Sequence, residues 1–132
     1  MAAPSAKTGG DVLVVDDDAI LRDLVADWLQ GAGYKVRKAS DCDTAQKAIE
    51  EAMPALIISD MYMPGPCGAA AIAEIRRHAP SAAFIAVSGY FKSGCGVSTD
   101  QALAAGAARA LAKPVRRAQL LIAVSELIGE PG

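Results

Sequence analysis

Leu56-Ile57-Ile58-Ser59-Asp60-Met61-Tyr62-Met63-Pro64-Gly65 is the stretch from which the rest of the chain can be read. A mostly apolar run meets an aspartate, and Pro64 and Gly65 then turn the chain. A short apolar run bounded by turn residues is the pattern of a buried strand. Asp60 falls where that strand gives way to its loop. A carboxylate there stands on a rigid base close to solvent, which suits a group that reacts.

Outward from this stretch the same pattern recurs. Val12-Leu13-Val14-Val15 is apolar throughout and ends in Asp16-Asp17-Asp18. Phe84-Ile85-Ala86-Val87 runs into Ser88, and the weaker run Ala108 to Ala112 stops at Lys113-Pro114. Such continuous runs read as strands covered on both faces. Tyr34 to Lys38 alternates and reads as a shorter edge strand.

Between the strands the apolar residues take helical spacing. Ile20, Leu21, Leu24, Val25, Trp28 and Leu29 form one stripe, with Asp18 as N-cap and Gly31 and Gly33 as stops. Ala45, Ala48, Ile49 and Ala52 form a second, capped by Ser40 or Asp41 and closed by Pro54. A third helix runs from about Gly68 to His78, ended by Pro80. A fourth, Ala-rich, is capped by Ser98 or Thr99 and ends near Gly106. The last spans Val115 to Ile128, with Leu120, Leu121, Val124, Leu127 and Ile128 on one side. Gly89 to Gly96 is glycine-rich, without period, and reads as a mobile loop. Five strands alternating with five helices predict an α/β doubly wound sandwich, (βα)5, with a five-stranded parallel sheet and helices on both faces.

Composition narrows the function. The 132 residues, 52% of them hydrophobic, suffice for one domain and its core. Residues 1–10 read as a disordered lead-in and 11–129 as the domain, with no separate effector domain expected. A net charge of -2 gives no basic footprint for direct nucleic-acid binding. No apolar run approaches the roughly 20 residues of a membrane span. Three scattered cysteines argue against a disulfide framework or zinc site and suit a reducing cytoplasm.

In a doubly wound sheet, ligands bind beyond the carboxyl ends of the strands. The polar residues expected there are Asp16 and Asp17 after the first strand, Asp60 after the third, Ser88 after the fourth and Lys113 after the fifth. Clustered carboxylates repel, and a hard divalent cation such as Mg²⁺ offsets that repulsion. Asp60 then reads as a nucleophile able to form an acyl phosphate. Lys113 supplies a point charge to the phosphoryl oxygens and Ser88 a hydroxyl donor. Phosphoryl transfer needs mainly positioning and charge neutralisation of this kind.

These motifs, Val-Val-Asp16-Asp17-Asp18, Asp60-Met-Tyr-Met-Pro64 with Gly68, Ser88-Gly89 and Lys113-Pro114, resemble those of the receiver domain of two-component response regulators, over about residues 11 to 128. The resemblance implies a flavodoxin-like fold. It implies Asp60 as phosphoacceptor, with Asp17, Asp60 and the Tyr62 carbonyl as direct Mg²⁺ ligands and Asp16 acting through water. It also implies Ser88 as switch hydroxyl and Lys113 as phosphate-binding lysine. The implied partners are a sensor histidine kinase or phosphotransfer protein and a downstream protein target. That target would meet the fourth helix, fifth strand and fifth helix. Beyond phosphorylation from a donor and its own dephosphorylation, no enzyme activity is expected.

Two departures stand out. Ala110 occupies the position where the family commonly has the switch aromatic that swings inward. The segment between Ser88 and Lys113 is a few residues longer than usual, which suggests that Gly89–Gly96 carries the conformational change instead. Tyr62 and Tyr90 would flank the pocket and slow the attacking water. The competing reading is a receiver fold that binds proteins without phosphorylation. An aspartyl-phosphate hydrolase of the haloacid dehalogenase type wants a second aspartate where Tyr62 stands. A flavodoxin wants a phosphate-cradling loop after the first strand.

Overall fold

A computed structural model describes residues 11–60, 77, 82–88, 107–112 and 115–129. Five strands form one parallel sheet: β1 (Asp11–Val15), β2 (Lys35–Ala39), β3 (Leu56–Asp60), β4 (Ala83–Ser88) and β5 (Arg109–Ala112). Their spatial order is β2-β1-β3-β4-β5. The chain therefore steps from β1 out to β2, then crosses back to β3 on the other side of β1. This is the doubly wound, flavodoxin-like arrangement, and its switch point lies between β1 and β3. Helices α1 (Ala19–Gly31), α2 (Cys42–Glu51) and a C-terminal helix (Arg117–Ile128) are described. Apart from Arg77, which is helical, the expected third and fourth helices, the loop Gly89–Gly96 and the lead-in 1–10 lie outside the described residues.

The sheet separates two apolar layers. Leu13, Val15, Ile57, Phe84 and Ala86 point to the side where α2 lays Ala45 and Ile49. Val12, Val14, Ile58, Ile85 and Leu111 point to the other side, against Val25 and Leu29 of α1 and Leu120 and Val124 of the C-terminal helix. Successive strand residues alternate faces, so a run buried on both sides must be apolar throughout. β1 and β3 are. Each large side chain so buried contributes roughly 1.5–3 kcal/mol of transfer free energy.

The helix ends follow from local chemistry. Asp18 is extended and accepts from the N–H groups of Ile20 (3.0 Å) and Leu21 (3.3 Å), the expected N-cap. After α1, Gly33 takes φ 105°, a conformation that favours glycine, and Tyr34 N–H returns to the Leu29 carbonyl at 3.0 Å. Of the two candidate caps for α2, Asp41 is the one used. Its carboxylate accepts from Thr44 N–H at 2.8 Å, and Thr44 Oγ1 accepts from Asp41 N–H at 3.1 Å, closing a capping box. These bonds from Thr44, backbone first and then side chain, hold the Asp41 carboxyl below its ordinary pKa. At the other end of α2, Arg37 of β2 donates to the carbonyls of Ala48 (2.6 Å) and Ala52 (2.7 Å) and pairs with Asp11. One side chain thus ties helix end, edge strand and β1 together.

Several expectations need correction. Ala52 is not part of the inner face of α2. It is the extended, exposed C-cap, because the chain is already leaving the helix towards Pro54. Ile20 and Leu24, on the α1 stripe by spacing, are 82% and 42% exposed. The stripe is wider than the sheet can cover. Trp28 is only partly buried at the margin of the core. β2 begins at Lys35, since Tyr34 is spent in the turn. There its ring is buried and its hydroxyl donates to the Gly129 carbonyl at 2.8 Å. The last helix begins at Arg117, two residues later than expected.

Candidate functional site

Register decides which strand ends meet. Val15 of β1 pairs with Ser59 of β3, Asp60 with Val87 of β4, and Ser88 with Ala112 of β5. Asp16 follows β1 directly, Asp60 is the last residue of β3, and Ser88 is the last of β4. All three therefore leave the sheet at one edge, on strands about 4.8 Å apart. Asp60 closes its strand as the last residue of β3, where the sequence places it. Lys113 comes directly after the last residue of β5. Lys113, Tyr62 and Tyr90 lie outside the described residues, as do the side chains of Asp60 and Ser88.

Asp16 is 6% exposed, and its backbone N–H still bonds to the sheet through the Ala39 carbonyl at 3.1 Å. One carboxylate oxygen, Oδ1, accepts from Asp18 N–H at 2.9 Å. Its backbone carbonyl accepts from Arg22 Nη1 at 2.9 Å. Asp17, next along, is exposed. Asp16 therefore works within the fold, Asp17 faces solvent, and Asp18 is committed to the helix cap.

Asp16 also borders a small, mainly apolar cleft between α1 and the C-terminal helix, with Leu21, Val87, Val115 and Leu120 in its wall. Apolar surroundings on that flank lower the effective dielectric and strengthen any charge interaction of the carboxylate. Among the described residues no group of three His, Cys, Asp or Glu side chains gathers as a metal cluster. The donors described at this edge are oxygens alone, and oxygen donors suit a hard divalent cation.

Ala110 stands in β5, paired with Ala86 and packed against the layer that contains Phe84. The position is thus a small residue on the sheet. Arg22 was not singled out by the sequence. Its signal there is slight: a lone cation one helical turn after Asp18, the N-cap that closes the acidic run. Only the fold brings its guanidinium back onto the strand end.

A switch-point edge lined with aspartates on this sheet order defines a class of protein. The family model "Response regulator receiver domain" matches residues 12–125, and the chain belongs to that family, the receiver modules of two-component signalling. Among its relatives is the chemotaxis protein CheY of Thermotoga maritima, 31% identical over 122 residues, covering 90% of this chain and 98% of that one. The uncharacterized transcriptional regulatory protein YesN of Bacillus subtilis is 29% identical over 122 residues, which cover 90% of this chain and 32% of YesN. The chain thus spans about a third of YesN's length. A crystal structure of a response regulator protein from Burkholderia pseudomallei, with a phosphorylated aspartic acid, calcium ion and citrate, superposes with a TM-score of 0.74. It is 28% identical and covers 89% of this chain and 65% of that one. Among the described residues no helix is long and apolar enough to cross a membrane.

Proposed function

We propose that this receiver takes a phosphoryl group from a phosphohistidine donor onto Asp60, with Mg²⁺, and signals through a changed protein-binding face. The observation that carries the reading is the shared edge: Asp16, Asp60 and Ser88 end neighbouring strands in register. In the proposed step a carboxylate oxygen of Asp60 attacks phosphorus as the P–N bond to the donor imidazole breaks. The imidazole leaves with the bonding electron pair and takes a proton from water. An acyl phosphate remains on Asp60.

Bound Mg²⁺ would neutralise charge on the phosphoryl oxygens. Asp17, Asp60 and the Tyr62 carbonyl are the direct ligands in this reading. Asp16 reaches the ion through water, Lys113 meets the phosphoryl oxygens, and Ser88 donates a hydroxyl to them. The buried Asp16 and exposed Asp17 suit an inner supporting carboxylate and an outer ligand. The phosphorylated aspartic acid and calcium ion of the Burkholderia pseudomallei response regulator support the same chemistry.

The partners proposed are a sensor histidine kinase or phosphotransfer protein upstream and a protein target downstream, in the cytoplasm. The receiver unit is taken as residues 11–129. Receiver domains are signalling modules, and no turnover of a separate substrate is proposed. Ala110 favours a second reading, a receiver fold whose output ignores phosphate, because a methyl group cannot make the aromatic swing. Incubation with acetyl phosphate and Mg²⁺ tests the first reading. The chain should gain the mass of one phosphoryl group, and Asp60→Asn should not. Target binding unaffected by that substitution would favour the second.

A further inference from the structure

We infer that Arg22 is a positioning residue for the Mg²⁺ site: it holds the peptide that carries the two metal-side carboxylates. The inference rests on the proposed Mg²⁺ reading of Asp16, Asp17 and Asp60.

The peptide joining Asp16 to Asp17 begins where β1 stops pairing with β3, since the last register pair there is Val15 with Ser59. Its nitrogen-side residue is anchored by the Asp16 N–H bond to Ala39 at 3.1 Å. Its oxygen is the Asp16 carbonyl, and Arg22 Nη1 donates to it at 2.9 Å. On the far side, Asp18 N–H bonds to Asp16 Oδ1 at 2.9 Å, while the Asp18 carboxylate caps Ile20 and Leu21. Arg22 N–H in turn donates to the Asp18 carbonyl at 2.9 Å, the first full turn of α1.

Arg22 is therefore bonded to both ends of the acidic turn, through its backbone at Asp18 and its guanidinium at Asp16. Rotation of the Asp16–Asp17 peptide would redirect both side chains, and the guanidinium bond opposes that rotation. A partly buried bond to a charged donor is among the stronger kinds. Metal ligands must be held to within about half an ångström for useful affinity.

The sign of the effect separates positioning from simple charge. A cation beside a cation site weakens Mg²⁺ binding by repulsion, so deleting its charge alone should tighten binding. Deleting a positioning residue should weaken it, on the order of tenfold by analogy with residues that orient metal ligands. The test is calorimetric Mg²⁺ titration of the full chain as wild type, Arg22→Met and Arg22→Lys. Urea unfolding without Mg²⁺ checks that each variant is folded, and Arg22→Leu replaces Arg22→Met should that variant not fold.

The expected result is about tenfold weaker binding in Arg22→Met, with part of the loss recovered in Arg22→Lys, which keeps a donor. Equal or tighter binding in folded Arg22→Met overturns the inference while leaving the Mg²⁺ site standing. Absence of Mg²⁺ binding in the wild type overturns both.

Discussion

Val15 and Ser59 are register partners at the last shared position of β1 and β3, so Asp16 and Asp60, each one residue further on, emerge side by side at the switch point of the sheet. Neither sits there by its own preference. Each is carried by a strand whose apolar residues are locked between two helical layers, and a slip of one residue would turn those residues to the wrong layer. The strand-end aspartates are therefore as well placed as the core is well packed.

Asp16→Asn keeps the shape of the side chain and an oxygen for the Asp18 N–H, but removes a charge from the acidic edge. Mg²⁺ binding should weaken by about 10- to 100-fold, as for other outer-shell partners of a metal. Urea unfolding in the absence of Mg²⁺ reports any separate effect on the fold. Calorimetry and urea titration measure the two effects separately.

The capping box of α2 gives a pH dependence of known sign. The folded-state pKa of Asp41 lies below its unfolded value because Thr44 hydrogen-bonds the ionised form. A lowered carboxylate pKa stabilises the fold above the unfolded value, near pH 4, and the contribution is lost as pH falls through the folded value. Asp41→Ala should therefore lower the urea midpoint at pH 7, and the gap to wild type should narrow on acidification below pH about 4.

Gly31 ends α1, and a Cβ built there meets nothing within 4 Å. Gly31→Ala should stabilise the fold by about 0.4–1 kcal/mol, by limiting the unfolded chain and improving helix propensity. Guanidinium or urea unfolding reads the change directly.

Tyr34 and Phe84 give a contrast in scale. Tyr34→Phe removes the hydroxyl bond to Gly129, a loss of about 1 kcal/mol. Phe84→Ala empties a fully buried site in the layer against α2 and should cost about 3–5 kcal/mol. Thermal and urea unfolding of the two variants should differ accordingly.

Much of this architecture was legible in the sequence, for identifiable reasons. β1 and β3 were plain because strands covered on both faces must be apolar throughout, and the strand-end aspartates were visible as breaks in those runs. Asp18 and Gly33 marked the ends of α1 because capping and positive φ are local requirements. What periodicity does not supply is the width of the covered stripe: spacing alone puts Ile20 and Leu24 inward, although neighbouring elements leave them exposed. Spacing likewise puts Ala52 inside, because it does not register where a helix has already ended. Arg22 and Arg37 were not legible as staples. Their hydrogen bonds run to backbone carbonyls, which carry no residue signature.

The proposed signalling depends on the carboxylate of Asp60 accepting the phosphoryl group at an edge assembled by the sheet. Intact-mass measurement after incubation with acetyl phosphate and Mg²⁺, followed by peptide mapping, tests it most directly. A single phosphoryl adduct on the peptide containing Asp60, absent in Asp60→Asn and without Mg²⁺, is the expected result. An unmodified wild-type chain, or an adduct that persists in Asp60→Asn, would contradict it.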